Sequence, residues 1–156
     1  MKYKGKKLEG RNTDVLVLMR GQETIVFRAE AIDNYDEFDK LCIMPEPPKR
    51  LRPGGIQEPN PSDPIYLKAI DKYSENKVNY TIVKSLLAST DIEWDNVHLD
   101  KIETWGNWRT ELEESGFTDI ELMRILQLCT RVNCLDEDLL DKAKEDFLAE
   151  AHQQEK

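Results

Sequence analysis

At 156 residues, 39% apolar and 34% charged, the chain has room for one domain plus an appendage but is poor in core material. Its net charge of −9 argues against a nucleic-acid partner, because phosphate binding needs Lys and Arg to displace counterions. The longest apolar runs are only a few residues, which excludes a membrane-spanning helix, and Met1–Gly10 has no apolar signal-peptide segment. The three cysteines, Cys42, Cys129 and Cys134, form no CxxC, and their odd number points to free thiols in a reducing compartment.

The first elements read as β. Asp14–Met19 and Thr24–Ile32 are rich in β-branched and aromatic residues, and Arg20–Glu23 between them is polar with a glycine; together they predict a hairpin. In the second strand Ile25, Phe27, Ala29 and Ala31 share one face and Val26, Arg28 and Glu30 the other, the pattern of a half-buried strand. Lys2–Leu8 is expected to add a third strand. Asn34–Cys42 reads as a short helix carrying Tyr35, Phe38, Leu41 and Cys42 on one side.

All seven prolines fall between Pro45 and Pro64, together with the Gly54–Gly55 pair. Proline lacks a backbone N–H and fixes φ, so this stretch continues neither a helix nor a central strand. It divides the chain into residues 1–44 (hairpin and short helix), a linker at 45–63, a helical domain at 64–151 and a polar tail at 152–156. Beyond residue 64 acidic side chains outnumber basic ones by twenty to eleven, so that domain is acidic. Such a surface either meets a basic partner or simply keeps a helical domain solvated.

Past the linker the periodicity turns helical. Asp63 before Pro64 is an N-cap followed by proline at the first helical position. Tyr66, Ile70, Tyr73, Tyr80, Val83 and Leu87 then extend a helix to Ala88, with Ser74–Lys77 as its polar weak point. Residues 91–103 read as a loop or short strand. Thr104 is expected to cap a helix over Trp105–Ser115, ended by Gly116. Thr118–Glu121 is a capping box, flanked by Phe117 and Leu122 as a hydrophobic staple. The helix that follows carries Ile120, Met123 and Leu126 beside an Ile125, Cys129, Val132 row, and stops near Asn133. A last helix opens at Asp136, with a stripe of Leu139/Leu140, Ala143, Phe147 and Ala151.

No catalytic or cofactor signature accompanies this frame. His98 and His152 have no second ligand at metal-binding spacing, and Cys129 with Cys134 cannot make a closed zinc site. Gly54–Gly55 follows no strand and precedes no GK[ST], so it is a turn and not a phosphate cradle. The acidic pairs Asp36–Glu37, Glu113–Glu114 and Asp136–Asp138 sit at helix starts or on exposed faces, and no Ser or Cys has an identifiable base. Lys49, Arg50 and Arg52 form the single basic cluster. Trp94, Trp105 and Trp108 fall close together, either as core filling or as an interface hot spot.

From Trp105 onward the sequence resembles the tail assembly chaperones of long-tailed bacteriophages. The similar elements are Trp105 with Glu111–Leu112, Gly116–Phe117–Thr118, Glu121, Val132–Asn133, Leu135–Asp136–Glu137 and Phe147–Leu148. The opening Gly5–Lys6 and Glu9–Gly10, the β-rich segment and the proline-rich linker are similar as well. The resemblance implies a non-enzymatic protein without cofactor or metal, acting in the host cytoplasm and absent from the mature virion. Such chaperones coat the tape measure protein and bring in tail tube subunits; self-association is also compatible. Other classes compatible with the sequence are a virion connector protein, a small regulator of host proteins, and an enzyme built on scattered carboxylates and His98. The expected fold is α+β: a small N-terminal hairpin unit, a proline-rich linker and an acidic helical domain. The residues expected to meet a partner are Trp94, Trp105, Trp108, Phe117 and Leu122.

Overall fold

The computed structural model describes residues 1–138, 140–142 and 145. The protein is α+β, with small antiparallel strand pairs and helices. Its residues form two compact units that interleave along the chain: residues 1–31, 85–92 and 118 onward make the first, and residues 32–84 with 93–117 the second. The division does not fall at the proline-rich stretch.

In the first unit, β1 (Lys2–Tyr3) and β2 (Lys6–Lys7) make a miniature exposed hairpin. They pair only with each other, so the expected third strand does not join the main ladder. Pairing them locally through a two-residue turn at Lys4–Gly5, both at positive φ, costs far less chain entropy than reaching across to another edge. The main hairpin is β3 (Thr13–Arg20) with β4 (Glu23–Glu30), in the register Leu16↔Phe27 and Val17↔Val26. Leu18, Phe27 and Ala29 of its inner face are buried, as the alternation requires. α4 (Asp119–Val132; α1–α3 are given below) packs against both strands. It buries Leu122, Ile125, Leu128, Cys129 and Val132.

Both ends of α4 follow local rules. Its start is the capping box: the Thr118 hydroxyl accepts from the Glu121 N–H, and the Glu121 carboxylate accepts from the Thr118 N–H at 2.8 Å. Its end is a Schellman motif, in which Leu135 N–H reaches Thr130 O and Cys134 N–H reaches Arg131 O. Cys134 sits at the left-handed position, φ 55°, where glycine is the unstrained residue. Cys134→Gly is therefore expected to stabilise the protein by about 0.5–1 kcal/mol. Urea denaturation checks this; an unchanged or lower midpoint would count against strain at the site. Glu137, Asp138, Leu140–Lys142 and Glu145 are helical. The rest of the expected last stripe (Leu139, Ala143, Phe147, Ala151) and the tail 152–156 lie outside the described residues.

The second unit contains α1 (Asp36–Leu41), a hairpin of β5 (Lys49–Leu51) with β6 (Gln57–Pro59), most of α2 (Pro64–Leu86), a 3₁₀ turn (Ile102–Thr104) and α3 (Asn107–Glu114). The proline-rich stretch is thus a small ladder. Arg52 N–H to Ile56 O at 2.9 Å extends it, Gly54 and Gly55 turn it at positive φ, and Glu58 pairs with Arg50 and Arg52. Pro59 lies at the end of β6, a place that tolerates a missing donor.

α2 begins as read: Asp63 Oδ1 accepts from the N–H groups of Ile65 and Tyr66, each at 3.0 Å. It runs unbroken through Ser74–Lys77, where Asn76 is buried, and ends at Leu86. Over its last two turns Tyr80 through Val83, Ser85 and Leu86 are all buried, while Leu87 beyond the helix is exposed. α3 starts later than expected, at Asn107, with Gly106 as an N-cap that offers no side-chain bond. Thr104 is not its cap, because its hydroxyl donates within 2.9 Å of the backbone oxygens of His98 and Lys101. Gly116 (φ 83°) ends α3 in a second Schellman motif, with Phe117 N–H to Leu112 O.

Candidate interaction surface

The tryptophans expected to face a partner are largely interior. Trp105 is fully buried, its ring centroid 5.0 Å from Tyr80 and 5.7 Å from Phe38. Its indole N–H donates to Leu99 O at 3.1 Å. Trp108 is 6% exposed, and its indole N–H donates to Asn79 Oδ1 at 3.0 Å. Buried indoles need such acceptors, and having them marks both residues as parts of the second unit's core. Trp94 and Phe117 are half-buried in the same unit. Leu122 belongs to the first unit, where it is buried on α4. The five residues therefore do not form one exposed patch. The signal that would have separated core from surface is the aromatic set of Tyr35, Phe38, Tyr73 and Tyr80, which supplies a cage for one indole.

The exposed apolar residues lie elsewhere. On α4, Ile120 (70% exposed), Met123 (60%) and Leu126 (38%) form a row at i, i+3, i+6 on the solvent side, opposite the buried Ile125, Cys129 and Val132. By periodicity the two rows form one wide apolar surface; packing covers only one of them. On β3 the outer residues Val15, Val17 and Met19 are exposed.

Side-chain bonds fix how α4 lies on the hairpin. Near its start, Glu121 accepts both Arg20 nitrogens, Nη1 at 2.5 Å and Nη2 at 2.9 Å. Near its end, Arg131 pairs with Asp14 at 2.7 Å and Asn12 Nδ2 donates to Val132 O at 3.0 Å. Arg20 closes β3 and Asp14 lies next to its start, so α4 runs antiparallel to β3. Asn133 Nδ2 donates to the buried Ser85 hydroxyl at 2.8 Å, and Ser89 Oγ both accepts from Arg28 N–H and donates to Arg28 O, each at 2.7 Å.

The Arg20 hydrogen bonds, then the Thr118 N–H, hold the Glu121 carboxyl down at about 2, below its ordinary 4.5. A depressed folded-state value contributes stability that is complete above about 4.5 and is lost as pH falls toward 2. Glu121→Gln should therefore be less stable than the parent at pH 7. The gap should close as pH falls from 4.5 toward 2. Urea midpoints at pH 7, 4.5, 3.5 and 2.5 read this directly, and a gap that stays constant would disprove the linkage.

Other groups offer little chemistry. A shallow depression of about 370 Å³ is lined by Thr13, Asp14, Val15, Arg28, Ala29 and Ala88, with Asp14 already engaged by Arg131. Cys129 is buried and its thiol is pushed up to about 12, away from the reactive thiolate. The Tyr80 phenol is likewise raised to about 12 by burial and by Glu37, to which it donates at 3.2 Å. Among the described residues no group of three or more His, Cys, Asp or Glu could hold a metal ion, and no helix is long and apolar enough to cross a membrane.

No protein-family model, curated protein or solved structure matches the chain.

Proposed function

We propose that this protein is a non-enzymatic assembly chaperone of the long-tailed phage type its sequence resembles. It holds apolar helices of a tape measure protein and brings in tail tube subunits in the host cytoplasm. The observation that carries this reading is the exposed row Ile120, Met123 and Leu126 on α4, in a chain of net charge −9. An amphipathic partner helix docks on such a row through anchors of the same helical spacing. The surplus acid keeps the assembly soluble and favours partners with basic flanks.

The test is co-expression with a tagged tape measure fragment, followed by pull-down and light scattering. A soluble complex is expected, lost on Met123→Glu while far-UV circular dichroism is unchanged. A fragment equally soluble alone, or capture unaffected by Met123→Glu, overturns the reading. A connector protein that stays in the tail is favoured by the exposed outer face of β3. Mass spectrometry of purified particles separates the two, since the chaperone is absent from them.

A further inference from the structure

We infer that a second copy of this chain docks on the outer edge of β3, joining two hairpins into one four-stranded antiparallel sheet about a two-fold axis at Val17. The inference does not rest on the chaperone reading, because its test reads only self-association.

The phase of the ladder comes first. Ser89 Oγ bonds both the N–H and the C=O of Arg28, at 2.7 Å each, so both groups of Arg28 face away from β3. In an antiparallel pair the directly opposed residue points outward too. That residue is Val15, and with it Val17 and Met19, opposite Val26 and Thr24. Val15 N–H confirms the phase, since it is taken by the carboxylate of Asp14 at 2.8 Å. β4's far edge is thus closed at Arg28 by Ser89. No hydrogen bond from a described residue reaches the outward N–H of Val17 or Met19. Between Asp14 and Arg20 this edge strand carries none of the charges, prolines or bulges that normally prevent pairing, and Val15, Val17 and Met19 are exposed along it.

The residue pattern then selects the occupant. Two β3 strands placed antiparallel about Val17 put Val17 opposite Val17, Val15 opposite Met19, Leu16 opposite Leu18 and Asp14 opposite Arg20. Every apolar residue meets an apolar one, and the end charges meet their opposites. Moving the axis to Val15, Leu16, Leu18 or Met19 sets Asp14 or Arg20 against an aliphatic residue. In the Val17 register Asp14 already carries Arg131, and Arg20 already carries Glu121. The joint therefore creates an alternating row, Arg131–Asp14 from one copy and Arg20–Glu121 from the other, at both ends. Backbone bonds form between the two Val17 residues and from Met19 N–H to the partner's Val15 C=O. The exposed Val15, Val17 and Met19 of the two copies become one apolar strip along the middle of the sheet's outer face.

Sedimentation velocity across micromolar concentrations tests this on the full chain. The parent is expected to show a monomer–dimer equilibrium, and Val17→Lys to stay monomeric with unchanged circular dichroism. The register is read separately in a Cys134→Ser background, which removes the exposed native thiol. There Val17→Cys is expected to give a disulfide dimer on mild oxidation, since a directly opposed pair stands within bridging distance. Val15→Cys, which faces Met19 and not itself, gives none. A parent that is monomeric throughout, a dimer that survives Val17→Lys, or equal cross-linking by Val15→Cys and Val17→Cys overturns the proposal.

Discussion

Trp105→Ala is expected to lower stability by about 3–5 kcal/mol, the range for removing a fully buried large aromatic. Trp105 is enclosed by Phe38 and Tyr80, both also fully buried, and half-buried Tyr35, Tyr73, Leu99 and Ile102 pack against this cluster. Its ring stands tilted at 63° to Tyr80, the edge-to-face arrangement that adds to area burial. Truncation leaves a cavity that neither α1 nor α2 can refill, because their aromatic rings already pack against one another. It also leaves Leu99 O without its indole donor. Against an overall stability of about 5–15 kcal/mol, the loss amounts to a large fraction of the whole. Urea denaturation followed by near-ultraviolet circular dichroism measures it. A loss below about 1 kcal/mol would show that the cluster is not the core of the second unit. Such a mutant would also lose any binding activity by unfolding, which makes Trp105 unsuitable for mapping a partner surface.

Phe27→Ala should act with similar size, about 3–5 kcal/mol, on the first unit. Phe27 sits mid-strand on the inner face of β4, opposite Leu16, and is 1% exposed. α4 packs on this hairpin, so removing the ring undermines the sheet and its covering helix together. Hydrogen exchange should then show faster exchange in β3, β4 and α4 alike. Fast exchange confined to β4 would mean that the helix and the hairpin do not form one cooperative unit.

The elements legible in advance were those governed by neighbours in the chain. The β3–β4 hairpin, the Asp63–Pro64 start of α2, the Thr118–Glu121 box and the Gly116 stop each depend on a hydrogen bond or a φ value set within a few residues. The capping role assigned to Thr104 failed on competition. Its hydroxyl has a local alternative in the backbone oxygens of His98 and Lys101, and takes it. The proline-rich stretch was legible as a helix breaker but not as a ladder, since two three-residue strands with prolines give no alternation to detect.

The candidate surface was less legible. Apolar periodicity is identical for a covered row and an exposed one, so Ile120, Met123 and Leu126 could not be told from Ile125, Cys129 and Val132. Only the docking of α4 on β3 and β4 decides between them. The tryptophan cluster stays open between core filling and interface for the same reason, since the rings that bury Trp105 come from positions 35–38 and 73–80, far away in sequence.

Sequence alone determined the α+β class, the starts of α2 and α4, the ends of α3 and α4, the two faces of the hairpin and the acidic charge of the C-terminal half, because each is set by local hydrogen bonding, steric φ limits or simple composition. Tertiary structure alone decided that two units interleave along the chain, that Trp105 and Trp108 are interior, and that the outer faces of α4 and β3 stay open. These outcomes depend on which distant apolar surfaces meet, and the free energy of burial carries no record of position along the chain.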